Sequence, residues 1–327
     1  MRAAGCHARG FSLIELMVAM VLAMMVLGGV ALVFAGTSGG RADIERAGRL
    51  VDNAHYTLTV LTEEIQHAGF YAELAPLGVT WSVPDPCATA VAAQGWSNAP
   101  FTMPVAIAGY AAAEPEPPCL PHRKAGTAIA VVRHVNPVPT PAAAATVGGY
   151  LQVSKCLLDA TTFVVSKTPA DFTLRNLDCV NVAEVRQLVV RTYYIAACDV
   201  CGTDTIPTLK RADWVGDEIV ITPIAEGVEN LQIEYGFDAD GDGKPDKFLA
   251  APDDSIAPAY GQWSNVMAAR MYALFRSTDA QPGYVDATKR FNLGPGGVTA
   301  PANDGFRRVL LTSVAIPKNP AGRRETP

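Results

Sequence analysis

The first forty residues constrain this chain more than any other part of it. Met1 to Gly10 forms a short leader carrying Arg2, His7 and Arg9. Phe11-Ser12-Leu13-Ile14-Glu15-Leu16 then opens an apolar run that reaches about Gly40, and Glu15 is the only charged residue in it. A segment this long and apolar is a candidate membrane helix. A carboxylate in hydrocarbon is costly unless something pairs with it, so Glu15 requires a partner. A secretory signal differs in having a shorter apolar region followed by a small-residue cleavage site. Ala31 to Gly40 does offer small residues, so that reading stands beside the anchor at this point.

Beyond Gly39-Gly40 the chain turns polar but keeps a helical pattern. Ile44, Ala47, Val51, Ala54, Leu58, Leu61, Ile65 and Ala68 recur at steps of three and four. Arg41, Asp43, Glu45, Arg46, Arg49, Asp52, Glu63 and Glu64 flank this stripe, and Gly69 is a plausible stop. Only about four heptads are present and no partner helix follows, which argues for docking on the chain's own sheet rather than a coiled coil. One helix from Phe11 to Ala68 would span roughly 85 Å at 1.5 Å per residue.

From Phe70 onward strands and loops dominate. Strands are expected at Thr127–Arg133, Val185–Ile195, Glu218–Ile221 (halted near Pro223), Leu231–Phe237, Met267–Phe275 and Arg308–Ile316. Glu114–His122, Asn136–Gly149 and Leu293–Asp304 read as loops. The expected fold is α+β: a long N-terminal helix, membrane-spanning in its first half and amphipathic in its second, packed on an antiparallel β-sheet head.

Seven cysteines occur, and Cys6 lies in the leader. The other six are Cys87, Cys119, Cys156, Cys179, Cys198 and Cys201. An even number beyond a membrane segment fits disulfides in an oxidising compartment. Six cysteines allow fifteen pairings, and the spacing does not choose among them. Pairing of sequence neighbours is the expectation: Cys87 with Cys119, Cys156 with Cys179, Cys198 with Cys201. Cys198-Asp199-Val200-Cys201 also admits a redox or zinc reading, but no second pair at similar spacing accompanies it.

Asp238-Ala239-Asp240-Gly241-Asp242-Gly243-Lys244-Pro245-Asp246 matches the first nine places of a calcium loop. Asp238, Asp240, Asp242 and Asp246 would offer carboxylates and Lys244 a backbone carbonyl to Ca2+, while Gly243 allows the sharp turn. Leu249 stands at the twelfth place instead of a bidentate glutamate, so affinity below that of a full cage is expected, with Asp253 or Asp254 as substitutes. The competing reading is a turn between strands, since Asp-Gly pairs favour tight hairpins.

Other chemistry is not supported. His55, His67, His122 and His134 form no metal-like pair at helical spacing, and no Walker loop, dinucleotide fingerprint or nucleophile elbow occurs. No enzyme is expected. The net charge is −6, and removing Arg2 and Arg9 with the leader leaves 24 basic against 32 acidic side chains, −8. That balance argues against a nucleic-acid partner.

The run Gly10-Phe11-Ser12-Leu13-Ile14-Glu15-Leu16 resembles a type IV prepilin signal. The resemblance implies cleavage by prepilin peptidase between Gly10 and Phe11, N-methylation of Phe11, and pairing of Glu15 with the amino terminus of a neighbouring subunit. Leu61–Phe70, Ala225–Gly236 with the aspartate-glycine loop after it, and Phe306–Val309 with its closing strand look like PilW-type minor pilins. Residues 80–215 are not diagnostic. The resemblance implies a pilin-like fold with a leader at 1–10, a helix at 11–69 whose segment 11–36 serves membrane insertion and assembly, and a β-rich head at 70–327. It also implies, as partners, other major and minor pilins through the N-terminal helix, an inner-membrane assembly platform, and membrane lipid before assembly. The expected location is the bacterial inner membrane with a periplasmic head, then the pilus. Type II secretion pseudopilins share the N-terminal signal and remain an alternative. So does a calcium-dependent adhesion module at a filament tip.

Overall fold

The computed structural model describes residues 12–145 and 148–324, with backbone alone at 35–40 and 42. Gly10 and Phe11, the processing pair, lie outside the described residues. The chain divides into two units, Met1–Arg49 and Leu50–Pro327. Helix α1 (Leu13–His67) begins in the first and ends in the second. In the first unit its side chains from Leu13 to Phe34 are exposed throughout.

The second unit carries strands β1 (Thr80–Ser82), β2 (Ser97–Asn98), β3 (Phe101–Pro104), β4 (Ile107–Tyr110), β5 (Ile129–Val135), β6 (Tyr150–Val153) and β7 (Phe163–Ser166). These are followed by β8 (Val185–Ala196), β9 (Thr208–Val215), β10 (Glu218–Glu226), β11 (Val228–Phe237), β12 (Lys247–Leu249), β13 (Val266–Arg276) and β14 (Arg308–Ala315), then by α2 (Lys318–Arg324). A seven-stranded sheet runs β10-β9-β8-β5-β4, with β6 added to β8 and β7 to β6. A four-stranded sheet runs β12-β11-β13-β14. Within both sheets every strand pairing is antiparallel. The Ala128 N–H donates to the Leu231 carbonyl (2.8 Å), which ties the two sheets together. A small third sheet, β1-β3-β2, contains one parallel pair, β1 with β3.

The strand period of two sorts the core into two layers. Ala130 and Val132 of β5, Tyr193 and Ile195 of β8, Leu231–Phe237 at alternate positions, and Ala269, Met271, Ala273 and Phe275 of β13 face the helix. There they meet Leu50, Ala54, Leu58, Leu61, Ile65 and Ala68. Ile129, Val131 and Val135 point the other way and join Leu188, Val190, Tyr194 and Trp214 in a second layer. Tyr71, Leu74 and Met103 close that second layer from outside the sheet.

A polar cluster crosses the first layer. Glu64 accepts from Arg191 Nη1 at 2.7 Å and from the Tyr193 hydroxyl at 3.1 Å, and lies 3.0 Å from His134 Nε2. Arg191 continues to Asp213 (3.1 Å), which also holds Arg211 (2.8 Å). Burial pushes the Glu64 carboxyl up, but the His134 and Arg191 contacts outweigh it and hold it down at about 2. The helix ends where Gly69 adopts φ +72°, with its N–H on the Arg133 carbonyl. A Cβ at Gly69 would meet Ala106 and Pro320 at 2.9 Å, so the position needs glycine for both conformation and space.

Several expectations shift. The buried stripe uses Leu50 where Val51 was expected; Val51, Ala47 and Ile44 are exposed. The strand expected to stop near Pro223 runs on to Glu226 with an irregularity between Pro223 and Ala225. It lies at the sheet edge, where a proline costs no ladder hydrogen bond. β9 escaped the pattern because Lys210, Arg211 and Asp213 break its apolar text, and its short neighbours β1–β4, β6, β7 and β12 carry too little periodicity to read.

The depressed Glu64 pKa has a definite sign. Its stabilisation is complete above the unfolded carboxyl value of 4.5 and is lost as pH falls from there towards 2, a span worth about 3 kcal/mol. Urea unfolding between pH 6 and pH 3 should therefore show Glu64→Gln to be less stable than wild type at pH 6. The gap should narrow by about half at pH 3 and close only below pH 2; an unchanged gap at pH 3 would refute the assignment.

Candidate functional site

Ser12 precedes the first helical residue, and Glu15 sits three places on. The Glu15 N–H donates to Ser12 Oγ (3.2 Å), while Glu15 Oε2 accepts the Ser12 N–H (2.9 Å) and the Ser12 hydroxyl (3.1 Å). This is a reciprocal capping box, which satisfies donors that a helix start otherwise leaves open. Its sequence signal is Ser-x-x-Glu before an apolar run, here Ser12 and Glu15. Behind it, Leu13–Phe34 is long and apolar enough to cross a membrane. Glu15 thus combines two properties: it closes its own helix end, and it is the lone carboxylate of an exposed apolar surface.

The aspartate loop connects β11 to β12, whose ladder pairs Phe237 with Lys247. It is therefore a hairpin connection, and Leu249 lies on the returning strand rather than on a helix. Carboxylate oxygens of Asp238, Asp240 and Asp246 lie within 4.8 Å of one another. Asp242 is not in that group: its Oδ1 accepts the Lys244 N–H at 2.7 Å, and Lys244 Nζ lies 3.5 Å from Oδ2. Asp253 and Asp254 are outside it as well; Asp253 accepts from Ser255. Asp238 is buried and accepts the Gly241 N–H (2.6 Å) and Gly243 N–H (2.9 Å). Gly243 holds φ +84°, the turn expected of it. Arg324 from α2 reaches Asp238 Oδ2 at 3.1 Å, a contact that local sequence could not reveal. Burial raises the Asp238 pKa, but those backbone N–H groups and Arg324 more than offset it and leave it below the usual range. The donor set fits a hard cation on one side, with three converging carboxylates, and Arg324 competes for the deepest of them.

The structure joins Cys87 to Cys119, Cys156 to Cys179, and Cys198 to Cys201. His122 lies close to the Cys198 and Cys201 sulfurs, so the three would form a candidate metal group only with that disulfide reduced. His55 and His67 are exposed on α1, whereas His134 is buried against Glu64. That pairing joins positions far apart in sequence, which is why it was not foreseen.

Two family matches coincide with the regions just described. Residues 6–31 match the prokaryotic N-terminal methylation motif. Residues 192–318 match the family described as Type IV Pilus-assembly protein W. Among solved structures, a type IV-like pilin from Thermus thermophilus aligns at 12% identity, covering 83% of this chain and 96% of that one, with a TM-score of 0.35. That likeness is too slight to carry an inference. No curated protein matches the chain.

Loop-closure entropy separates the disulfides. Cys87–Cys119, with a sequence separation of 32, should stabilise by about 4 kcal/mol, and Cys198–Cys201, with a separation of 3, by about 2 kcal/mol. Paired serine replacements, compared by urea midpoint at constant slope, should lose stability in that order. The reverse order would mean that native contacts, rather than loop length, set the effect.

Proposed function

We infer that the chain is a minor pilin that takes part in priming or assembling a type IV pilus. Prepilin peptidase removes the leader after Gly10, Phe11 becomes the N-methylated first residue, and the apolar helix first holds the subunit in the inner membrane with its head in the periplasm. The helix then enters the filament, exchanging lipid for contact with other major and minor pilins delivered by an inner-membrane platform. Lipid supplies no hydrophobic drive for helix association, so close packing and polar pairing have to provide it. Glu15 is the polar group available for this. The observation that carries the reading is the methylation-motif match over residues 6–31, joined to a PilW-type match that begins at residue 192. The latter favours a pilus over a type II secretion machine.

The test is Glu15→Ala. Mass spectrometry should find the variant cleaved and methylated at Phe11 like the parent, while blots of sheared pili should contain several times less of it. Parent-level incorporation would defeat the role given to Glu15, and a mature chain starting elsewhere would defeat the processing.

A second reading rests on the aspartate loop. We propose that Asp238, Asp240 and Asp246 take Ca2+ with water and backbone oxygens completing the shell, which would make the head's conformation, and any adhesion through it, depend on calcium. An incomplete cage places the affinity in the weak, extracellular class, about 1 mM. At ~10 mM calcium the protein should then gain about 1.4 kcal/mol, near 3 °C in Tm for a domain of this size. Asp240→Asn, which spares the buried Asp238–Arg324 pair, should abolish the gain. A gain of equal size with magnesium, or in Asp240→Asn, would reject the site.

A further inference from the structure

A cavity of about 610 Å3 opens where the turn after α1 meets helix α2. Its walls are mostly apolar. Leu74 and Leu77 come from that turn, Trp81 from β1, Met267 from β13, and Trp263 from the segment leading into β13. Leu77 is 82% exposed, so little of the chain itself covers this apolar side chain at the cavity wall. A volume of this order falls within the usual range of small-molecule pockets, roughly 300–1,000 Å3.

The charged part of the lining consists of Glu73, Arg323 and Arg324. Glu73 is committed to Lys155 (3.5 Å) and Arg186 (3.9 Å). Arg324 is committed to Asp238 Oδ2 (3.1 Å) and Asn265 Oδ1 (2.7 Å). Arg323 differs: its Nη2 donates to the carbonyl of Gly69 at 3.4 Å, and it forms no ion pair with a carboxylate among the described residues. Gly69 is itself part of the lining, so this bond sets the guanidinium at the cavity wall. Arg323 is exposed, and none of its nitrogens is a buried atom without a partner. The helix that carries it is held in place. Ala321 is buried, Pro320 packs on Gly69, and Arg324 is tied to Asp238.

The result is a chamber with two indole walls and a single positive charge that nothing in the chain neutralises. One such charge matches a monoanion; a phosphate monoester brings a charge nearer −2. A carboxylate suits a guanidinium because its two oxygens accept two N–H bonds side by side. The indole rings favour an aromatic body, which gains from ring contact beyond its buried area.

We propose that this cavity binds a free small molecule made of an aromatic body and one carboxylate, the body against Trp81 and Trp263 and the carboxylate on Arg323. The site is separate from the processing, assembly and calcium readings above, because it uses neither Glu15 nor the carboxylates of the aspartate loop.

The test titrates the full chain in detergent with hydrocinnamate and with the neutral hydrocinnamyl alcohol, following tryptophan emission. The acid should bind saturably and about fivefold tighter than the alcohol, the upper worth of an ion pair that stays partly open to water. In Arg323→Met the acid should fall to the level of the alcohol, while the alcohol binds as it does to the parent. That pattern separates charge recognition from damage to the fold. Ala75 is an exposed lining residue, so Ala75→Phe fills the cavity from its rim. This variant should melt like the parent and bind neither compound. Equal binding of acid and alcohol to the parent, a preference that survives Arg323→Met, or unchanged titrations in Ala75→Phe would overturn the proposal. A midpoint that rises with protein concentration would overturn it too, by identifying a second copy of the chain as the occupant.

Discussion

One helical face organises the second unit. Leu50, Ala54, Leu58, Leu61, Ile65 and Ala68 cover a surface built from two separate sheets, so the same six residues hold both. Apolar contact of this sort is non-directional and would tolerate a slide of the helix along the sheets. The Glu64 cluster removes that freedom. Its carboxylate meets donors from β5 and β8 at once, and a shift of one helical turn would leave three buried polar groups without partners. Buried ion pairs are poor sources of net stability but good sources of register, and this one lies where register is otherwise undetermined.

The PilW-type match and the two core layers divide the head in a related way. Residues 192–318 include the whole four-stranded sheet, β9, β10 and the end of β8, which is most of what the helix rests on. The second layer draws mainly on residues before 192: Tyr71 to Leu74, β3 to β7, and the segments closed by Cys87–Cys119 and Cys156–Cys179. These segments have many short strands and long loops. Two disulfides close them, an efficient way to order chain that has little regular structure of its own.

How much of this the sequence disclosed depended on how far apart the interacting groups are. The helix pattern, the alternation in β11 and β13, and the Asp-x-Asp-x-Asp-Gly text are local, and local spacing carries them. The stripe's buried part starts later than expected, since Ile44, Ala47 and Val51 are exposed, and the change from Val51 to Leu50 arises because one residue turns a helix by about 100° and both choices are apolar. What spacing could not show was long-range: Glu64 with His134 and Arg191, Arg324 with Asp238, and Arg133 beside a cavity lined from five segments. Charged residues in strands misled for the same reason. Lys210, Arg211 and Asp213 interrupt the apolar text of β9, yet Arg211 and Asp213 belong to the chain of charges that ends on Glu64.

The helix start poses the converse problem, a polar group that looks unpaired in sequence and is partly paired in structure. Ser12 gives Glu15 two donors, so the carboxylate is not bare at the start of this apolar helix. Both donors lie at the helix N-terminus, where the backbone dipole also favours negative charge. Neither donor neutralises the full charge. A Glu15 held this way faces a fixed direction, with its remaining lone pairs free for a cation, and little side-chain entropy is left to lose when one arrives. An ammonium group docking there would add a charge-assisted contact to a preorganised acceptor. Under the proposed function, the capping box would lower the cost of holding Glu15 in a membrane without removing its drive to pair.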